Sequence, residues 1–170
     1  ALEGHGVVTV GTVFRGDKLS GAGTPEELRR AADVVLVEAD GAKRLPLKAP
    51  AEYEPVIPPC ADAVAAVAGM DAVGQAVGAV CHRPERVCAL LGAGAEHVLT
   101  PEDVALLLAN PQGGRKGVGE AMAFRCVLNK ADTPARRAAG EVCAAQIRAM
   151  GLQAVLTAFR EEERDGKCWF

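Results

Sequence analysis

Aromatic side chains are scarce in this chain: four Phe, one Tyr and one Trp among 170 residues. A core so poor in rings must be assembled from Ala, Val, Leu and Cys, which pack through many small contacts. An excess of charge of one sign is also lacking. Nineteen Lys and Arg stand against 22 Asp and Glu, a formal net charge of -3. That excludes a general nucleic-acid binder and gives no electrostatic footprint for a membrane surface. No apolar run approaches the ~18 residues of a membrane-spanning helix. No signal peptide is visible, although Ala1 is an odd start and a further segment upstream is expected. The six cysteines (Cys60, Cys81, Cys88, Cys126, Cys143 and Cys168) form no C-x-x-C pair and no zinc-type spacing. Surroundings such as Val142-Cys143-Ala144 read as buried free thiols in a reducing cytoplasm. Cys81-His82 has ligand-like adjacency, but a turn before a helix opened by Pro84 is the favoured explanation. The last absence is chemical. The phosphate-cradling loop G-x-x-x-x-G-K-[ST] is missing. Gly166-Lys167 is followed by Cys168 with no helix after it.

What is present describes one α/β domain over residues 1–170, with enough chain for a real core. Strand-like and helix-like segments alternate. Val7 to Val13 reads as a strand, followed by a Gly-rich turn from Gly16 to Gly23. Thr24-Pro25-Glu26-Glu27 opens a helix with a capping box, and Thr100-Pro101-Glu102-Asp103 repeats the signal. Further strands are expected at Val34–Val37, Ala63–Val67, Phe124–Leu128 and Ala154–Leu156. Pro84–Leu91, Thr100–Ala109 and the run from Pro134 to Met150 read as helices. This alternation predicts a mostly parallel sheet with flanking helices.

Ala32-Asp33-Val34-Val35-Leu36-Val37-Glu38-Ala39-Asp40-Gly41 has the pattern of a buried strand tipped by acids. Ligands bind at the carboxyl ends of parallel strands. Mg²⁺ keeps several waters and takes only one or two carboxylates. Asp40 is therefore the expected Mg²⁺-side carboxylate, with Glu38 orienting a water or serving in its place.

Asn129-Lys130-Ala131-Asp132 directly follows the Phe124–Leu128 run. It resembles the guanine-reading turn of GTP-binding proteins. A carboxylate at Asp132 can accept from guanine N1–H and from the exocyclic amine, a pattern adenine cannot offer. Asn129 can bridge base and loops, and the Lys130 stem can cover the ring. Thr157-Ala158-Phe159 is a candidate second loop, where a backbone N–H meets guanine O6. The same Asn-Lys-x-Asp residues would also serve simply to close a strand and cap the helix at Pro134.

Two segments remain. Gly113-Gly114-Arg115-Lys116-Gly117-Val118-Gly119 could wrap an anion with backbone N–H groups. It precedes a strand instead of following one, which favours a surface loop. Gly41 to Pro59 holds five prolines, with Lys43, Arg44 and Lys48 ahead of Glu52 and Glu54. A loop this long inside a compact domain is functional or disordered. The three cations could neutralise phosphates or an oxyanion substrate. If the backbone is extended, Glu52 and Glu54 share one face as a metal or proton-transfer pair.

The run Val35-Leu36-Val37-Glu38-Ala39-Asp40-Gly41-Ala42-Lys43-Arg44-Leu45-Pro46-Leu47-Lys48-Ala49-Pro50, then Glu54-Pro55-Val56-Ile57-Pro58, resembles the YqeC-type family of selenium-dependent hydroxylase accessory proteins. Cys81-His82-Arg83-Pro84-Glu85, Asn110-Pro111-Gln112-Gly113 and Leu128-Asn129-Lys130-Ala131-Asp132 follow in the family's order. The resemblance implies a three-layer, P-loop NTPase-like fold and a role in maturing molybdenum hydroxylases that use selenium. Family members usually begin with a strand and a GKT phosphate loop, so the chain reads as the family without its N-terminal portion. The expected function is Mg²⁺-dependent GTP binding by the intact protein, with this chain inactive as a GTPase alone. Lys43, Arg44 and Lys48 would lie near phosphate or substrate. A client hydroxylase or cofactor precursor is the expected partner, and an unpaired sheet edge would invite oligomers. The alternatives are a non-catalytic adaptor working through the Pro-rich basic loop, and an enzyme that uses ATP or another nucleotide.

Overall fold

The computed structural model describes residues 6–14, 18–21 and 23–158. Gly16 of the expected turn, Phe159 and Gly166-Lys167-Cys168 lie outside them. The chain divides into two compact units, Ala1–Glu38 with Pro58–Cys60, and Ala39–Ile57 with Ala61–Phe170.

In the smaller unit, β1 (Thr12–Phe14) pairs antiparallel with β2 (Lys18–Ser20), Thr12 opposite Ser20. The strand expected from Val7 to Val13 forms only at its end, and Val7 is 87% exposed. Helix α1 (Pro25–Arg29) starts where the capping box predicts. Thr24 N–H donates to Glu27 Oε2 at 2.8 Å, and Glu27 N–H donates to Thr24 Oγ1 at 3.3 Å. Arg29 Nη1 donates to the Cys60 carbonyl at 2.8 Å and so fastens the Pro58–Cys60 stretch.

The acid-tipped strand at Val34–Val37 does not form. These residues belong to no strand, and Val34, Leu36 and Val37 are 73%, 92% and 47% exposed. Apolar character favours burial, but a strand exists only through ladder hydrogen bonds to a neighbour. No strand in the described residues pairs with this run.

The larger unit holds, in chain order, β3 (Leu47–Lys48), β4 (Ala63–Gly69), a 3-10 turn (Met70–Ala72), α2 (Val77–Val80), β5 (Cys81–His82) and α3 (Pro84–Leu91). They are followed by α4 (Pro101–Ala109), β6 (Ala123–Asn129), α5 (Pro134–Ala149) and β7 (Ala154–Leu156). The sheet is parallel, in the order β4-β6-β7. Gly69 lies opposite Asn129, and Leu128 opposite Leu156. A second parallel pair joins β3 to β5, with Lys48 opposite His82. The unit is α/β as its alternation predicts, and sequence patterning places β4, β6, β7 and α3 to α5 within a residue or two. The capping box on α4 forms in full, and Thr133 Oγ1 accepts from Arg136 N–H at 3.2 Å to start α5.

Small side chains decide how closely the layers approach. One sheet face presents Ala66, Ala68, Cys126, Leu128, Ala154 and Leu156 to α4 and α5, which bury Leu107, Leu108, Cys143 and Ile147 there. Leu128 and Ile147 are fully buried. Each such aliphatic side chain contributes about 1.5–3 kcal/mol relative to exposure. In the middle of α5, Gly140 costs about 1 kcal/mol of helix propensity relative to Ala. A Cβ there would sit 3.0 Å from Leu156 Cδ2, so the glycine is set by packing. The opposite sheet face carries Val67, Val127 and Val155 in one ladder row, with Val67 58% and Val155 46% exposed.

The glycine-rich basic segment packs instead of wrapping an anion. A Cβ on Gly114 would lie 2.6 Å from Leu108 O and 2.9 Å from Leu108 Cα, so the backbone runs directly against α4. Lys116 Nζ donates to the carbonyls of Ala51 and Glu52, while Arg86 Nη1 donates to Pro50 O at 3.2 Å. Prolines supply acceptors without donors, and these two cations satisfy the carbonyls of the proline-rich loop. No described helix is long and apolar enough to cross a membrane. The five described cysteines are free, and Cys81, Cys126 and Cys143 are buried. Burial pushes their thiols up to about 11, 11 and 12, which makes them inert packing groups.

Gly114→Ala should destabilise the fold by about 1–3 kcal/mol through overpacking against α4. A urea melt checks this, and an unchanged midpoint would show that the loop does not rest on the helix.

Candidate functional site

The carboxyl end of a parallel sheet is open by construction, because the helices that follow each strand turn back along its face. In the larger unit this end gathers three loops: Met70 and Asp71 after β4, Asn129 to Asp132 after β6, and Thr157-Ala158 after β7. Backbone bonds lock the last two together. Thr157 N–H donates to Leu128 O at 2.9 Å, and Ala131 N–H donates to Thr157 O at 3.1 Å. Asn129 Oδ1 accepts from its neighbour Lys130 N–H at 2.8 Å and from Thr157 Oγ1 at 3.0 Å. Both expected base-side loops thus meet through one carboxamide. The Asp132 carboxylate is about one-third exposed beside Arg136, at 3.6 Å.

Lys130 adopts a left-handed backbone with φ 60°. Its ammonium reaches back across the strand ends to Asp71 Oδ2 at 2.7 Å. Asp71 Oδ1 is buried and has no hydrogen-bond partner. Gly69 makes this possible: a side chain there would collide with the Asp71 carboxylate, and would come within 2.9 Å of Pro46 Cβ and 3.4 Å of Lys130 Cδ. Sequence reasoning missed Asp71. Its signal was available, since it is the first acid beyond the apolar run Ala63–Gly69, the same logic that selected Asp40.

The Pro-rich loop arrives at the same end. Gly69 N–H donates to Pro46 O at 2.8 Å, joining the loop to β4. Beyond Pro46, the loop is organised by Glu54. Glu54 Oε2 accepts from Lys48 Nζ at 2.9 Å, Arg83 Nη1 at 2.7 Å and Ala51 N–H at 3.3 Å, and Oε1 accepts from Arg83 Nη2 at 2.9 Å. Arg83 also donates to Tyr53 Oη at 3.3 Å. Burial alone would raise the Glu54 pKa. Bonds from Lys48, Arg83 and the Ala51 N–H outweigh it and bring the group down to about 2.

These contacts sort the expected site residues. Lys48 places its three donors on Gly41 O at 2.8 Å, Asp40 Oδ2 at 2.9 Å and Glu54 Oε2 at 2.9 Å. It is saturated and cannot join Lys43 and Arg44 on an anion. Asp40 faces this ammonium. Glu38 is exposed and belongs to the smaller unit, whereas Asp40 belongs to the larger. Lys43 and Arg44 are both exposed, with left-handed φ of 50° and 64°. The Glu52/Glu54 pair does not form: Glu52 is 92% exposed, 3.7 Å from Arg86, while Glu54 is turned inward. Glu54 N–H donates to Ala51 O at 3.1 Å, so the segment is a turn and strand alternation does not apply. Cys81-His82 forms β5 instead of a ligand pair. No cluster of three His, Cys, Asp or Glu side chains suited to a metal ion occurs among the described residues.

Comparison with known proteins agrees with the sequence pattern. The family model described as YqeC protein matches residues 1–85, half of the chain, and the chain belongs to that family. It is 38% identical over 101 residues to "Uncharacterized protein YqeC" of Escherichia coli (strain K12). That match covers 56% of this chain and 40% of the relative, so the chain spans well under half of the relative's length. No solved structure matches the chain.

Glu54 sets a pH expectation. A carboxyl depressed in the folded state contributes stability above its unfolded value near 4.5, and that contribution is lost as pH falls through about 2. Denaturation midpoints should therefore fall between pH ~5 and pH 2, and Glu54→Gln should flatten that slope. An unchanged slope in Glu54→Gln would place the acid sensitivity elsewhere.

Proposed function

We propose, taking membership of the YqeC family as the premise, that this chain carries the base-reading side of a guanine-nucleotide site. We place that site in an accessory protein for maturing selenium-dependent molybdenum hydroxylases. The nucleotide reading rests on one observation: Asn129 Oδ1 joins the turn after β6 to Thr157 after β7 at 3.0 Å. This tie holds Asp132 in place before any ligand arrives. Pre-ordering of this kind lowers the cost of binding.

Asp132 would accept from guanine N1–H and the exocyclic amine, and the Ala158 N–H would meet O6. The Lys130 stem, pinned at its far end by Asp71, would cover one face of the ring. Part of the phosphate side also fits. For Mg²⁺, Asp71 suits better than Asp40: each meets an ammonium through Oδ2, but Asp71 Oδ1 is buried with no partner. Mg²⁺, when bound, would neutralise phosphate charge. The reading is nucleotide binding. The three-layer, P-loop NTPase-like architecture belongs to the same proposal. Its support is the half-exposed row of Val67, Val127 and Val155, since parallel sheets are normally covered on both faces.

Asp132→Asn exchanges an acceptor oxygen for a donor amide, and should move preference from guanosine to xanthosine nucleotides by about 1–3 kcal/mol of discrimination. Competition binding with GTP, XTP and ATP reads this directly. Unchanged selectivity would sink the guanine assignment, and an ATP preference in the parent chain would replace it.

A further inference from the structure

We infer that the Lys43–Arg44 turn is the seat of a multiply charged oxyanion. Its assignment to a nucleotide's phosphates rests on the function proposed above; the anion site itself does not.

The backbone supplies the first observation. Lys43 and Arg44 have φ of 50° and 64° in succession, and Leu45 N–H closes the turn on Ala42 O at 2.9 Å. Left-handed conformations crowd any Cβ, and glycine or asparagine normally occupies such positions. Two long cationic side chains stand there instead. Strained backbone persists only where its surroundings over-determine it, and it gathers at ligand sites. The surroundings here are explicit. Before the turn, the Lys48 ammonium clamps Gly41 O and Asp40; after it, Pro46 O is held by Gly69 N–H.

Charge supplies the second. The neighbouring ions are matched: Lys48 with Asp40 and Glu54, Arg83 with Glu54, and Lys130 with Asp71. Lys43 and Arg44 have no ion pair or hydrogen bond within the described residues. The uncompensated charge at this end of the sheet is therefore theirs, two positive charges on adjacent residues. His82, opposite Lys48 in the β3–β5 ladder, adds a donor without adding charge. Burial, then Arg83, Lys48 and Lys43, lower its pKa below the usual 6.5, which disfavours the charged ring. Its Nδ1 lies 3.5 Å from the Arg83 guanidinium, which leaves Nε2 to carry the proton.

Position supplies the third. Pro46, three residues from Lys43, packs over Gly69 where Lys130 also passes, so the turn is carried to the carboxyl end of β4 and β6. An Arg fork beside a Lys point charge suits phosphate oxygens, which accept several charge-assisted bonds at once.

Calorimetry with inorganic pyrophosphate tests the site on the whole chain. The parent protein and Arg137→Ala, an exposed cation on α5, should bind alike. The double variant Lys43→Gly with Arg44→Gly should lose at least about tenfold in affinity. Its thermal midpoint should rise, because glycine adopts left-handed φ freely. If the glycine pair does not fold, Lys43→Gln with Arg44→Gln carries the same reading of affinity. No binding by the parent chain, or equal binding by the turn variant, overturns the inference. Guanosine, which has no phosphate, separates the two claims. Turn-dependent pyrophosphate binding without guanosine binding keeps the anion site and removes the guanine reading. GTP binding indifferent to the turn variants does the reverse.

Discussion

The Glu54 carboxylate is the interaction on which the candidate site depends. A proline-rich excursion cannot order itself through its own backbone, because its prolines accept hydrogen bonds but cannot donate them. Glu54 supplies the missing order by accepting from Lys48, from both arms of Arg83 and from the Ala51 N–H. Those four bonds join β3, the loop and the start of α3. They also decide which cations remain available. Lys48 is spent on Asp40, Gly41 and Glu54, and Arg83 on Glu54 and Tyr53, so Lys43 and Arg44 are left facing outward. One half-buried acid thus turns a mixed-charge loop into a matched network with a positive remainder.

The sheet provides the platform on which that remainder stands. Its inner face sets Ala66, Ala68, Cys126 and Ala154 among the larger Leu128 and Leu156, and the small residues let α4 and α5 settle close to the strands. Gly69 and Gly114 extend the same economy to the loops, admitting the Asp71 carboxylate and the turn after α4 against backbone. A chain with few aromatic rings achieves its packing by removing bulk. The three loops at the carboxyl end can then approach closely enough to share hydrogen bonds such as Asn129 to Thr157.

Legibility differed sharply between elements. The capping boxes at Thr24 and Thr100 were readable because a cap is a local bond between residues three apart. β4, β6 and β7 were readable because their apolar runs do find ladder partners. Val34–Val37 has an even stronger apolar pattern and finds none, since pairing is a property of two segments and cannot be read from one. The same limit applied to the acids. Asp40 was chosen for its place after that run, while Asp71, after a run that does become a strand, was passed over. Glu52 and Glu54 were paired by strand alternation, which a single turn bond at Ala51 is enough to abolish.

By itself the sequence determined the α/β alternation, the helix starts, the free thiols and, through the run from Val35 to Pro58, the family. Each of these follows from short-range pattern: periodicity, caps, spacing and composition. Only the tertiary structure decided which charges cancel. Lys43, Arg44 and Lys48 are alike in one dimension, three cations within six positions. In three dimensions Lys48 has three acceptors within 2.9 Å, whereas the other two are held in a left-handed turn with no described partner. Electrostatic matching depends on distances of a few ångströms between residues remote in the chain, and no local pattern encodes those distances.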